Sequence, residues 1–137
     1  MNELIKKWHL KADSDIKNAS HEIIHEDAAT DTICFHAQQA VEKYLKSFIL
    51  WKEKTPPKTH NIDILLKMCL DLDKSFELLK DKNISYLTSF AVEFRYPDDF
   101  YMPTIDEAEE AYNTALLVKD FVLERLIESG YSDNEVD

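Results

Sequence analysis

Two stretches of this 137-residue chain place chemically able side chains at helical spacing. His21-Glu22-Ile23-Ile24-His25 has the H-E-x-x-H pattern. On a continuous helix that pattern sets two imidazoles on one face to bind zinc and leaves the glutamate as a general base. A catalytic zinc takes a third protein ligand, and no other segment offers a His or Glu at an identifying spacing. Two solvated histidines at a helix end explain the pattern more simply, so neither a metal nor another cofactor is expected.

The second stretch, residues 38–46, inserts Gln38, Gln39, Glu42, Lys43 and Lys46 into the most apolar part of the chain. Buried polar groups need partners, so Glu42 must meet a cation. Arg95 is the candidate, because its planar fork takes a carboxylate in two hydrogen bonds. One reading makes Glu42, Arg95 and the glutamines a structural network. The sharper one makes the cluster a groove for a nucleotide or another small anion, contacted by Arg95, Lys43, Tyr96, Gln39, Glu42 and Lys46. Tyr96 and Tyr101 serve equally well as packing or dimer-contact aromatics.

Other chemistry is excluded by composition. A single glycine, Gly130, rules out a Gly-rich phosphate loop and a dinucleotide fingerprint. Cys34 and Cys69 read as small buried apolar residues of a cytoplasmic protein, not as nucleophiles or a disulfide framework. The 27 acidic and 16 basic residues give a net charge of −11, and residues 98–137 carry most of the excess acid. That balance argues against a duplex-DNA footprint. Residues 43–58 are the local exception, with five lysines against Glu53. A solvated helix face and loop explain that run more readily than a phosphate site does.

The elements that must position these groups are helices. With one glycine and four prolines, the chain lacks the turn residues of β-hairpins. Leu4, Trp8, Ala12, Ile16, Ala19 and Ile23 step by three or four and predict a first helix facing inward, with Asn2 as its N-cap. From about Asp31 a second helix is apolar on several sides and belongs at the centre. Pro56-Pro57 stops it and stiffens residues 53–60. Asn61 caps a third helix, interrupted near residues 71–75, and Asn83 opens a fourth that carries Ile84, Leu87, Ala91 and Phe94 inward and stops before Pro97. Thr104 and Glu107 have capping-box spacing at the start of a last helix, with Ala108, Ala111, Ala115, Val118, Val122 and Leu126 on one face and Gly130 as its C-terminal stop. The expectation is an all-α, antiparallel up-and-down bundle of four to five helices over residues 1–128, followed by a frayed acidic tail over 129–137. No apolar run approaches the ~20 residues of a membrane span.

Several segments, in order, carry a family resemblance: Trp8 and Ala12; Phe35-His36-Ala37-Gln38-Gln39-Ala40-Val41-Glu42-Lys43-Tyr44-Leu45-Lys46; Pro57-x-Thr59-His60-Asn61-Ile62 with Leu65-Leu66; Phe94-Arg95-Tyr96-Pro97-Asp98; and Ala108, Ala111 and Ala115. Together they resemble the HEPN domain (higher eukaryotes and prokaryotes nucleotide-binding). The resemblance implies a compact helical bundle that usually dimerises. It also implies work beside a separately encoded minimal nucleotidyltransferase, as a toxin partner or as a nucleotide- or substrate-binding module. Many such proteins are metal-independent ribonucleases with a histidine four to six residues beyond an arginine. Arg95 matches the arginine, but no histidine follows His60 anywhere. The proton-transfer group is therefore missing, and Asp98 and Asp99 repel a phosphate backbone. A non-catalytic member with an Arg-Tyr-Pro turn is the resulting expectation. The alternatives are a ribonuclease toxin with a degenerate motif and a purely structural interaction domain.

Overall fold

The computed structural model describes residues 2–91 and 101–132. Its regular elements among these residues are all helices: α1 (Asn2–Ile23), α2 (Thr30–Trp51), α3 (Ile62–Leu72), a 3₁₀ turn (Lys74–Phe76), α4 (Glu77–Asp81), a 3₁₀ segment (Ile84–Phe90) and α5 (Ile105–Glu128). Among the described residues no helix is long and apolar enough to cross a membrane.

Helix α2 is the axis of the molecule, packed against α1, α3, α5 and the 3₁₀ segment. Ile33, Cys34, Ala37, Val41, Tyr44, Leu45, Phe48 and Ile49 are all buried along it, which is why its apolar residues occupy several faces. Against them α5 lays the stripe from Ala108 to Leu126, whose three alanines let the two helices approach closely. Phe48, Phe76 and Phe121 close the far end in a row of tilted and edge-on rings 4.6 and 5.0 Å apart.

The ends of these helices follow local chemistry. At α5 the full capping box forms, with the Thr104 hydroxyl accepting from the Glu107 amide and the Glu107 carboxylate accepting from the Thr104 amide. Its other end is a Schellman turn: Gly130 has φ +105°, its amide donates to Ile127, and the Tyr131 amide donates to Leu126. Helix α2 closes the same way without a glycine, with Glu53 in the left-handed region at φ 61° and Lys54 donating back to Ile49. Asn61 caps α3 by accepting from the Ile64 amide.

Four expectations need correction. The inward stripe of α1 is Ile5, His9, Ala12, Asp15 and Ala19, whereas Leu4 is 48% exposed. Two polar residues with strong internal partners displace the purely apolar register. Asn2 is the first residue of α1 itself rather than a residue ahead of it. Residues 84–90 form a 3₁₀ segment in place of a fourth α-helix, entered through Asn83 in the left-handed region, whose side chain makes no capping bond. Ile84 and Leu87 are buried three apart, in step with a three-residue turn, while Ser85, Thr88 and Ser89 contribute little helix propensity. Phe94 and Pro97 lie outside the described residues.

The fourth correction concerns direction. Asp15–Lys43, Asp13–Tyr44 and His9–Ser47 step in opposite directions along α1 and α2, so this pair is antiparallel. Helices α2 and α5 run in the same sense: Thr30 Oγ1 donates to the Pro103 carbonyl at their starts, and Trp51 meets Tyr131 edge-on at their ends. Among the described residues between them stand α3, α4 and the two 3₁₀ pieces, and the shared direction of α2 and α5 departs from a strict up-and-down order. Tyr131, within the segment read as a frayed tail, is buried at 3% against Trp51 and His9.

Candidate functional site

The polar residues of α2 emerge on two adjoining faces. On the side toward α1, Asp15 accepts from His36 Nδ1 at 2.7 Å and from Lys43 Nζ at 2.5 Å, and Lys43 also reaches Gln39 Oε1 at 3.4 Å. On the side toward α3, Glu42 is 4% exposed and accepts from His60 Nδ1 at 2.6 Å, with Lys46 Nζ at 3.6 Å. Lys46 is itself buried and lies 5.9 Å from the Trp8 ring centre.

The glutamines join the two faces. Gln39 donates to Gln38 Oε1 at 2.6 Å, and Gln38 donates to the His60 carbonyl at 3.1 Å. A chain of contacts thus runs from His36 through Asp15, Lys43, Gln39 and Gln38 to the backbone of His60, whose ring returns to Glu42. Each buried charge meets an opposite one, as a low-dielectric setting requires.

Of the six residues expected to contact a ligand, Gln39, Glu42, Lys43 and Lys46 are brought together here. Arg95 and Tyr96 lie outside the described residues. Within the described residues the groups that meet Glu42 are the His60 imidazole and the Lys46 ammonium. Asp15, His36 and His60 were not among the expected contacts; the three-and-four spacing that Asp15 shares with Ala12 and Ala19 is the signal that could have found it.

The other candidates have local explanations. Helix α1 ends at Ile23, so His25 falls beyond it, and both His21 and His25 are exposed. Glu22 accepts from the Ala29 amide at 2.7 Å and ties the α1–α2 connection. Among the described residues no three His, Cys, Asp or Glu side chains are grouped to hold a metal ion. Tyr101 donates to both oxygens of Glu107, which raises the phenol above its ordinary range and lowers the carboxyl. Both cysteines are free and buried; burial pushes the Cys34 thiol up to about 12, with Glu107 and Asp31 adding to it, and burial likewise raises Cys69.

Compared with known protein families, the chain matches the HEPN domain over residues 5–126. The chain belongs to the HEPN domain family. This HEPN domain is also similar to a solved structure described as TT1696 from Thermus thermophilus. The two are 29% identical with a TM-score of 0.69, over 92% of this chain and 100% of that one. Curated proteins give no match.

Proposed function

We propose that this HEPN domain is a non-catalytic module that binds a nucleotide or another small anion and acts beside a minimal nucleotidyltransferase-like partner, in a pair of the toxin–antitoxin kind. On this reading it is a cytoplasmic homodimer, and the anion meets Arg95 and Tyr96 together with the α2 residues Gln39, Glu42, Lys43 and Lys46. The observation that carries the proposal is the hydrogen-bonded polar face of α2. Its groups are ordered before any ligand arrives, which lowers the entropy lost on binding.

Lys43 and Lys46 each already have a carboxylate partner, so they supply positive potential and shape more than free valences. Arg95 is the residue assigned to grip the phosphate, since a guanidinium matches its geometry. Titrating nucleotides while following the melting temperature tests the proposal, because a ligand that binds only the folded state must raise it. Degradation of structured RNA that disappears in Arg95→Ala would replace binding with catalysis.

A further inference from the structure

His60 and Glu42 form a pair that the loop anchor alone does not account for. The Glu42 side chain is 6% exposed and the His60 side chain 68%, and they meet through Nδ1 at 2.6 Å. A carboxylate only accepts, so Nδ1 carries the proton and Nε2 is the nitrogen left over. The residue is fixed twice, once through its ring and once through its carbonyl, which accepts from Gln38 at 3.1 Å. Gln38, 0% exposed, already holds that backbone in place.

An imidazole held at one nitrogen by a buried carboxylate presents the other in a fixed direction, as histidines that touch substrates and metals do. Here the ring faces solvent, and Lys54 and Lys58 precede it in an otherwise acidic chain, while Asp63 beyond it is matched by Lys67 at 3.1 Å and Lys52 lies away over the Phe48 ring. Lys46 reinforces the positive side of Glu42. An anion is the ligand such surroundings draw in. A phosphate suits Nε2 in either state, accepting from a protonated ring or donating through P–OH to a neutral one.

We propose that His60 Nε2 is a direct phosphate contact of this domain and that Glu42 is its positioning residue. The inference rests on the anion-binding reading above and names a residue that reading did not include. It puts the phosphate at the mouth of the α2–α3 seam, beside residues 58–61.

The experiment is a nitrogen-15 NMR titration of the full chain, once with inorganic phosphate and once with adenosine monophosphate. Before ligand, the neutral His60 ring should show the Nδ1–H form, and Glu42→Gln should shift it toward Nε2–H. On titration the His60 ring signals should move saturably. His60→Asn keeps a donor for Glu42 but lacks Nε2, so it should retain the melting temperature while its affinity falls about tenfold or more. His60→Gln serves as a second variant if the first fails to fold, and the wild-type ring signals decide without either. Movement with adenosine monophosphate alone would identify a nucleotide phosphate, and movement with both a free phosphate group. Saturable shifts elsewhere with His60 unmoved would overturn the inference and leave the anion-binding reading standing. The absence of any shift with either probe would overturn both, and a wild-type ring in the Nε2–H form would remove the positioning role of Glu42.

Discussion

Lys43 Nζ lies 2.5 Å from Asp15 Oδ2, with both side chains less than a fifth exposed, so the ammonium of α2 is matched from within the fold. The same carboxylate holds His36 through its other oxygen. Asp15 therefore governs two of the titratable groups that sequence alone leaves open to solvent or ligand. Asp15→Ala should strip both of their partner and destabilise the domain by on the order of 3 kcal/mol, the cost of leaving a mostly buried charge unpaired. Chemical denaturation measures this. Asp15→Ala combined with Lys43→Met should recover part of the loss, because the unmatched charge is gone.

The two cysteines should be inert in the folded protein. Both are buried, and burial holds the Cys34 thiol near 12, so the reactive thiolate is scarce at neutral pH. Ellman's reagent should find almost no thiol in the native protein and both after denaturation; rapid native labelling would contradict the packing of α2 against α5 and α3.

Asp73 should tie stability to pH. Burial raises its carboxyl, but hydrogen bonds from the Ser75 hydroxyl and amide, with Arg125 and Lys52 nearby, outweigh this and hold it below its ordinary value. A carboxyl lowered on folding stabilises above the unfolded value, about 4, and loses that contribution as pH falls through the folded one. Asp73→Ala should thus cost about 1 kcal/mol at pH 7, the worth of a capping side chain, and less as the pH drops below about 4. Melting temperatures across pH 2–7 check the slope.

Gly130→Ala should destabilise by about 1–2 kcal/mol through backbone strain alone. At φ +105° a side chain is disfavoured, yet the added Cβ would meet only Trp51 at 4.0 Å, an ordinary contact. A larger loss in thermal or chemical denaturation would mean that the Schellman turn also secures the Tyr131 anchor.

Elements with one clear signal were legible in the sequence. The α5 capping box, the Asn61 cap and the burial of α2 each follow from residues a few positions apart. Three features depend on distant partners and were not. His9 and Asp15 look like surface residues until Ser47, His36 and Lys43 supply their partners. The 3₁₀ course of residues 84–90 is set by packing on α3, where Thr88 accepts from the Ile62 amide and Ser85 reaches Asp63. The shared direction of α2 and α5 depends on where the intervening chain crosses, which no local pattern encodes. At the site, the polarity of residues 38–46 was visible, while the role of His60 required knowing that it folds back over Glu42.

The central claim is that this HEPN domain binds a small anion on the polar side of α2, and isothermal calorimetry with a panel of nucleotides tests it most directly. Binding should be saturable, one-to-one per chain, and lost in Arg95→Ala while the fold is retained. Flat titrations with every nucleotide, or binding that survives Arg95→Ala undiminished, would contradict it.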